Sequence, residues 1–244
     1  MSSTQSEVSD FSKPWQSKAW VQLLAAVAGV LPLYSSLMIY QLRRDQPFSV
    51  QGFIVYLAVI SPLAIVIALL LLRFLCGENY RALNLRPGRL PSDLLAALIL
   101  SPVILVANVV SNYFLSELVP DAASGTSIRG LFMEIARKPG LLVLFVGPLT
   151  FLGAVSEELI RVFLLSRLWK VWPAIIGKLV AVVISACLFG LIHVYRGPVH
   201  VAWTAICSLI MALYYLRFGR VVPLILAHYV TNALEVVVAA ALMS

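Results

Sequence analysis

Seven stretches of this chain are apolar for about twenty residues each, and that pattern leaves few folds open. They run over about 19–41, 52–75, 93–116, 141–168, 174–194, 199–217 and 221–243. A helix needs about 20 apolar residues to cross roughly 30 Å of hydrocarbon. Of the 244 residues 61% are hydrophobic and only 12% charged, against about half and about a quarter in an ordinary soluble domain. The expectation is an all-α, polytopic transmembrane helix bundle of about seven spans. The chain is too short to add a large soluble domain, so one integral domain is expected.

Polar segments organise the rest. Residues 1–18, "MSSTQSEVSDFSKPWQSK", read as a flexible tail. They lack the basic start and immediate apolar core of a secretory signal, so the first helix is expected to act as an uncleaved anchor. The closing "AAALMS" carries no lipidation motif. The longest polar connection, Ser116 to Gly140, has loop chemistry in "PDAASGTS". Its "IRGLFMEIARK" can form a short interfacial helix. This connection separates an N-terminal transmembrane part, residues 19–139, from a C-terminal core, residues 140–244. Within the fourth span Gly147-Pro148 interrupts the run, and a helix can restart with Pro148 in its first turn.

The net charge of +7 raises the question of nucleic acid, but the basic residues sit mostly in short loops between apolar runs. No basic stripe interleaved with aromatics is visible, and no nucleic-acid partner is expected. Eleven Lys and Arg residues fall on the side of the N-terminus, Arg167 and Lys170 among them, and six on the other, Arg196 among them. That bias places the N-terminus in the cytoplasm. Cys76, Cys187 and Cys207 form neither a disulfide framework nor a metal-ligand spacing and read as apolar packing residues.

Ionisable residues inside apolar spans are costly, and they usually face the bundle interior, paired or functional. Three groups stand out. Glu157, Glu158 and Arg161 lie in "SEELIR". Glu157 and Arg161 are four apart and Glu158 and Arg161 three apart, so the arginine can hold either carboxylate. Gly153 and Ala154 one turn earlier leave room for a helix or a peptide. The plain alternative is a buried ion pair that fixes packing, but two carboxylates beside one arginine keep an excess negative charge suited to a base. The second group is "FGLIH", with Phe189 one turn before His193. The third is "HYVTN", where His228 and Asn232 share a helical face that Glu235 continues; an interhelical hydrogen bond is the alternative there. The third histidine, His200, follows Gly197-Pro198 and reads as interfacial.

Together these groups can make one buried hydrophilic pocket with the parts for hydrolysis. A glutamate can take a proton from water and pass it to a leaving amine. A histidine and an asparagine can stabilise the oxyanion of a tetrahedral intermediate. The remaining histidine can bind the water, or two histidines and a carboxylate can hold a divalent metal. There is no H-E-x-x-H and no G-x-S-x-G, which excludes the zincin arrangement and leaves a serine or cysteine nucleophile without support.

In their order on successive helices, Glu-Glu with a following Arg, F-x-x-x-H and H-x-x-x-N resemble the CPBP family of CAAX proteases and bacteriocin-processing enzymes, also called Abi proteins. The resemblance covers roughly Gly140 to Ser244. It implies an intramembrane endopeptidase in which Glu157 activates water, with Glu158 and Arg161 beside it. His193, His228 and Asn232 then bind water or stabilise the oxyanion. No cofactor follows with certainty; a divalent metal such as zinc, if present, would take Glu157, His193 and His228. The family spelling is E-E-x-x-x-R, and "EELIR" is one residue shorter. Aligning on Arg161 would bring Ser156 to the first position, which cannot act as a carboxylate base, so Glu157 is kept as the base, with Glu158 as the other candidate.

The partners expected are membrane lipid and a peptide or lipidated-peptide substrate. The location expected is a bacterial cytoplasmic membrane, with multiple passes. Two other readings remain open: a non-catalytic membrane factor of the same family, giving immunity to a peptide toxin or serving assembly, and a small transporter. The transporter would call for repeats and buried charge in both halves, and the first three spans carry almost none. One tension is depth. If every span crosses straight, His193 and His228 sit toward opposite ends of their helices, and a joint site needs short, tilted or broken helices, for which Pro148, Pro198 and Pro223 offer places.

Overall fold

Each apolar run is helical in the computed structural model, which describes residues 13–42, 49–85, 90–118 and 126–243. The helices are α1 (Ala19–Leu42), α2 (Val50–Leu75), α3 (Leu90–Leu118), α4 (Thr126–Ala136), α5 (Pro139–Val171), α6 (Ile175–Leu191), α7 (Pro198–Phe218) and α8 (Val222–Met243). No strand occurs among the described residues. Among the described residues five helices, α2, α3, α5, α7 and α8, are long and apolar enough to cross a membrane. The apolar stretch Ala19–Ser35 of α1 and the whole of α6 are shorter. The bundle is therefore all-α and polytopic, and α4 forms where the sequence places a short helix. Residues 1–12 of the expected tail lie outside the described residues.

Helix α5 is the hub, packed by α1, α2, α6 and α8, while α3 closes over α7 and α8. Ile160, Val162, Phe163 and Leu165 are fully enclosed. At about 1.5 Å per residue its 33 residues reach about 50 Å, longer than the bilayer core. The chain accommodates this by kinking. Pro148 has no N–H to give and its ring crowds the preceding turn; the helix widens into a π turn over Phe145–Leu149, where Gly147 adopts φ −86°, ψ −107°. The opposite faces of α3 and α6 are apolar and bare, with Val109, Phe114, Ile176 and Val183 all exposed. Such a belt would drive association in water and suits lipid. Helices α6 and α7 approach closely at Gly190, where a Cβ would meet the Val201 carbonyl oxygen at 2.6 Å.

At one end of the bundle, polar residues join α1, α2 and α5. Arg167 is 1% exposed. Its Nη1 and Nη2 donate to the Glu78 carboxylate at 2.9 Å each, and Nη1 also donates to Gln22 Oε1 at 2.9 Å. Lys170 adds a second cation to Glu78. Gln22 donates to the Gln16 carbonyl at 2.6 Å, and Gln16 donates to the Phe74 carbonyl at 3.1 Å. Residues 13–18, read from sequence as tail, form a turn here with Gln16 buried. Gly77, at φ +68°, turns the chain so that Glu78 reaches Arg167, a conformation open to glycine at little cost. Burial alone would push the Glu78 carboxyl up, but hydrogen bonds and charge from Arg167 and Lys170 outweigh it and hold it below the usual carboxylate range.

Candidate active site

Past the kink, α5 carries Glu157, Glu158 and Arg161 into the bundle interior. Glu158 is wholly buried, Arg161 is 1% exposed and Glu157 8%. Arg161 Nη2 lies 2.7 Å from Glu158 Oε1. Its guanidinium rests over the Phe189 ring of α6 at 4.1 Å, a cation–π contact, and its Nη1 meets Met211 Sδ of α7 at 3.4 Å. The arginine's ion pair is thus with Glu158, three residues back, rather than with Glu157, four back, although helical spacing allows both.

From α8, His228 directs Nδ1 at Glu158 Oε1, 2.6 Å away. A carboxylate paired to an arginine only accepts, so His228 Nδ1–H is the donor. Nε2 then points toward Glu157, 3.6 Å from its Oε2. Glu158 is therefore held from two sides, while Glu157 Oε2 has no hydrogen-bond partner.

The second histidine arrives by a different route. With 17 residues, α6 rises about 26 Å, short of the roughly 30 Å of hydrocarbon. It ends at Leu191, and His193 opens the 3-10 turn Val194–Arg196. A short helix resolves the depth problem: Phe189 has its ring 5.1 Å from that of His193 and 6.2 Å from that of His228. His193 Nδ1 lies 2.9 Å from the Phe189 carbonyl oxygen. A carbonyl accepts only, so Nδ1 carries the proton and Nε2 is the acceptor nitrogen of this tautomer.

One cavity of about 110 Å³ is lined by Glu157, Arg161, His193, His228 and Asn232, room for several waters. Of the six candidate catalytic residues only Glu158 is not on its wall; it sits behind, bound to Arg161 and His228. Phe53, Leu57, Phe132 and Phe145 supply an apolar side. His200 instead packs edge-on against Trp203, with ring centroids 4.5 Å apart, and does not line the cavity.

Glu235, which helical spacing puts on the face of His228 and Asn232, also lines the cavity, and its partner there was not anticipated: Arg196 Nη2 pairs with Glu235 Oε1 at 3.3 Å, and Arg196 lines the cavity too. In sequence Arg196 looks like a loop cation, and only its nearness to His193 hints otherwise. Thr204 and Ser208 of α7 also line it, buried and without hydrogen-bond partners.

The conditional metal set does not assemble. Among the described residues no three His, Cys, Asp or Glu side chains gather to hold an ion. The Nδ1 contacts of His228 with Glu158 and of His193 with a backbone carbonyl orient the rings and leave each Nε2 as an acceptor. Glu157, His193 and His228 share a cavity without forming a ligand sphere.

Residues 139–234 match the family described as type II CAAX prenyl endopeptidase Rce1-like. All seven motif residues, Phe189 included, lie inside that segment. That segment is similar to the CAAX protease family. No curated protein and no solved structure matches it. The matched segment supports a protease-type enzyme in general, and several membrane-length apolar helices support an integral, multi-pass membrane protein. The first 138 residues lie outside the match and contribute α1 and α2, which pack against α5, and Phe53, Leu57 and Phe132, which complete the cavity.

Proposed function

We propose that the chain is an intramembrane endopeptidase that hydrolyses a peptide bond with water activated by Glu157. The observation that carries this reading is the division of labour between the two glutamates. Glu158 is fixed by Arg161 and His228 and lies off the cavity, whereas Glu157 faces the cavity opposite His228 Nε2. Two acceptors 3.6 Å apart suit a water donating to both. Glu157 takes one proton from that water as its oxygen bonds to the peptide carbonyl carbon. The carbonyl oxygen becomes an oxyanion. With its Nδ1–H committed to Phe189, neutral His193 offers Nε2 only as an acceptor, which suits holding water. The Asn232 amide is then the donor for the oxyanion. Glu157 returns its proton to the amine nitrogen as the C–N bond breaks, leaving an amine and a carboxylic acid, which loses the second water proton to solvent. Phe53, Leu57, Phe132 and Phe145 suit a hydrophobic or lipidated peptide, and the excess of Lys and Arg supports a cytoplasmic N-terminus.

The test uses purified full-length protein in liposomes, a randomised hydrophobic peptide library and mass spectrometry in ¹⁸O-labelled water. The expected result is new C-termini carrying one ¹⁸O, and a loss of about 10³-fold in Glu157→Ala. Unchanged cleavage in both Glu157→Ala and Glu158→Ala overturns the proposal. Peptide binding without product from the wild type favours a non-catalytic factor instead.

A further inference from the structure

Helix α7 carries none of the family motifs, yet it places two unpaired hydroxyls on the cavity wall. Thr204 is 4% exposed and Ser208 1%. Thr204 Oγ1 and Ser208 Oγ make no hydrogen bond. Hydroxyls in apolar helices ordinarily bond a carbonyl one turn back, as others here do, though Ser185 of α6 does not. Ser101 donates to the Ala97 carbonyl and Thr231 to the Ala227 carbonyl, each at 2.8 Å. A buried hydroxyl without a partner costs free energy, so two on one cavity-facing stripe call for a ligand. Met211, three residues after Ser208, touches Arg161, which places the stripe beside the glutamates.

A peptide entering such a cavity leaves water and must find partners for its own N–H and C=O groups. Four residues along a helix rise about 6.0 Å. Along an extended strand, groups on the same edge recur every two residues, at about 6.6 Å. The two repeats nearly coincide. A hydroxyl both donates and accepts, so it can meet either kind of backbone group. We infer that Thr204 and Ser208 form a ledge that binds the backbone of an extended peptide, one hydroxyl to each of two successive groups on the same edge. This rests on the peptidase reading, and it assigns the ledge to positioning rather than to chemistry. It recognises peptide backbone and leaves side-chain identity at those two positions open.

The probe is a hydrophobic peptide from the randomised library that the wild-type protein cleaves in liposomes. Thr204→Val and Ser208→Ala are each expected to raise KM about 10-fold with kcat changed less, since the ledge acts before chemistry. Thr204→Ser restores the wild-type value. Thermal midpoints stay unchanged, because no contact within the protein is lost. N-methylation of the peptide nitrogen that docks on the ledge weakens cleavage by wild type, but adds little in the double variant. Retention of the library by Glu157→Gln protein gives a readout free of turnover. If the two substitutions leave both KM and retention unchanged, the ledge is overturned and the peptidase reading stands. If wild type cleaves nothing but the substitutions release retained peptide, the peptidase reading falls and the ledge survives. If nothing is cleaved or retained, both fall.

Discussion

Two buried charged clusters lie on the same helix, six residues apart, and they are built to opposite rules. Around Arg167 the polar atoms are used up. Both terminal guanidinium nitrogens meet the Glu78 carboxylate, Gln22 caps one of them, and Lys170 adds a second cation. Around Arg161, Glu157 Oε2, Glu158 Oε2 and Arg161 Nε make no hydrogen bond, and a cavity opens on Glu157. A saturated ion cluster fixes three helices in place. An unsaturated one keeps charge poised at a cost in stability, which is worthwhile only where something binds or reacts. The difference teaches that burial of charge does not by itself mark a site; unpartnered atoms beside a cavity do.

The largest effect that would sharpen the contrast is on the open cluster. His228→Ala is expected to lower kcat/KM by about 10³-fold, because Glu158 loses its histidine and Glu157 loses the group facing it. Arg167→Ala should act on stability instead. It leaves Glu78 half-buried without its main partner and costs about 3 kcal/mol, read by thermal or denaturant unfolding, while the folded fraction keeps its turnover. Asn232→Ala should reduce kcat about 10²-fold with little change in KM, as expected of a donor to the oxyanion. A similar loss in KM alone would assign it to substrate binding. The smallest effect concerns pH. Because the folded Glu78 carboxyl is held below its ordinary value of about 4.3, its contribution is fully present above that value. It is lost as pH falls through the lower folded value. Glu78→Gln should flatten this acid-side slope, measured as thermal midpoint against pH.

Much of this arrangement was legible in the residues. Apolar length fixes the helices, and Gly147-Pro148 marks the kink because proline disrupts the turn before it. Glu157, His193 and His228 stood out because charge and imidazole are rare in such runs. Arg167 and Arg196 did not. Both sit at the ends of apolar runs and read as membrane-edge cations. One turns inward because Gly77 brings Glu78 to it, the other because α6 stops short of a full span. Those are tertiary facts. Helical spacing put Arg161 in reach of either glutamate, and only the packed Phe189 ring and His228 show which one it holds. Thr204 and Ser208 were illegible for a related reason, since hydroxyls at that spacing usually bond their own helix.

The contrast is tested most directly by measuring cleavage rate and thermal midpoint together for Glu157→Gln and Glu78→Gln in liposomes. Glu157→Gln should lose cleavage and keep its midpoint. Glu78→Gln should lose several degrees of midpoint and keep its turnover per folded molecule. Cleavage retained in Glu157→Gln, or a midpoint that falls there as far as in Glu78→Gln, would contradict the assignment of the open cluster to catalysis.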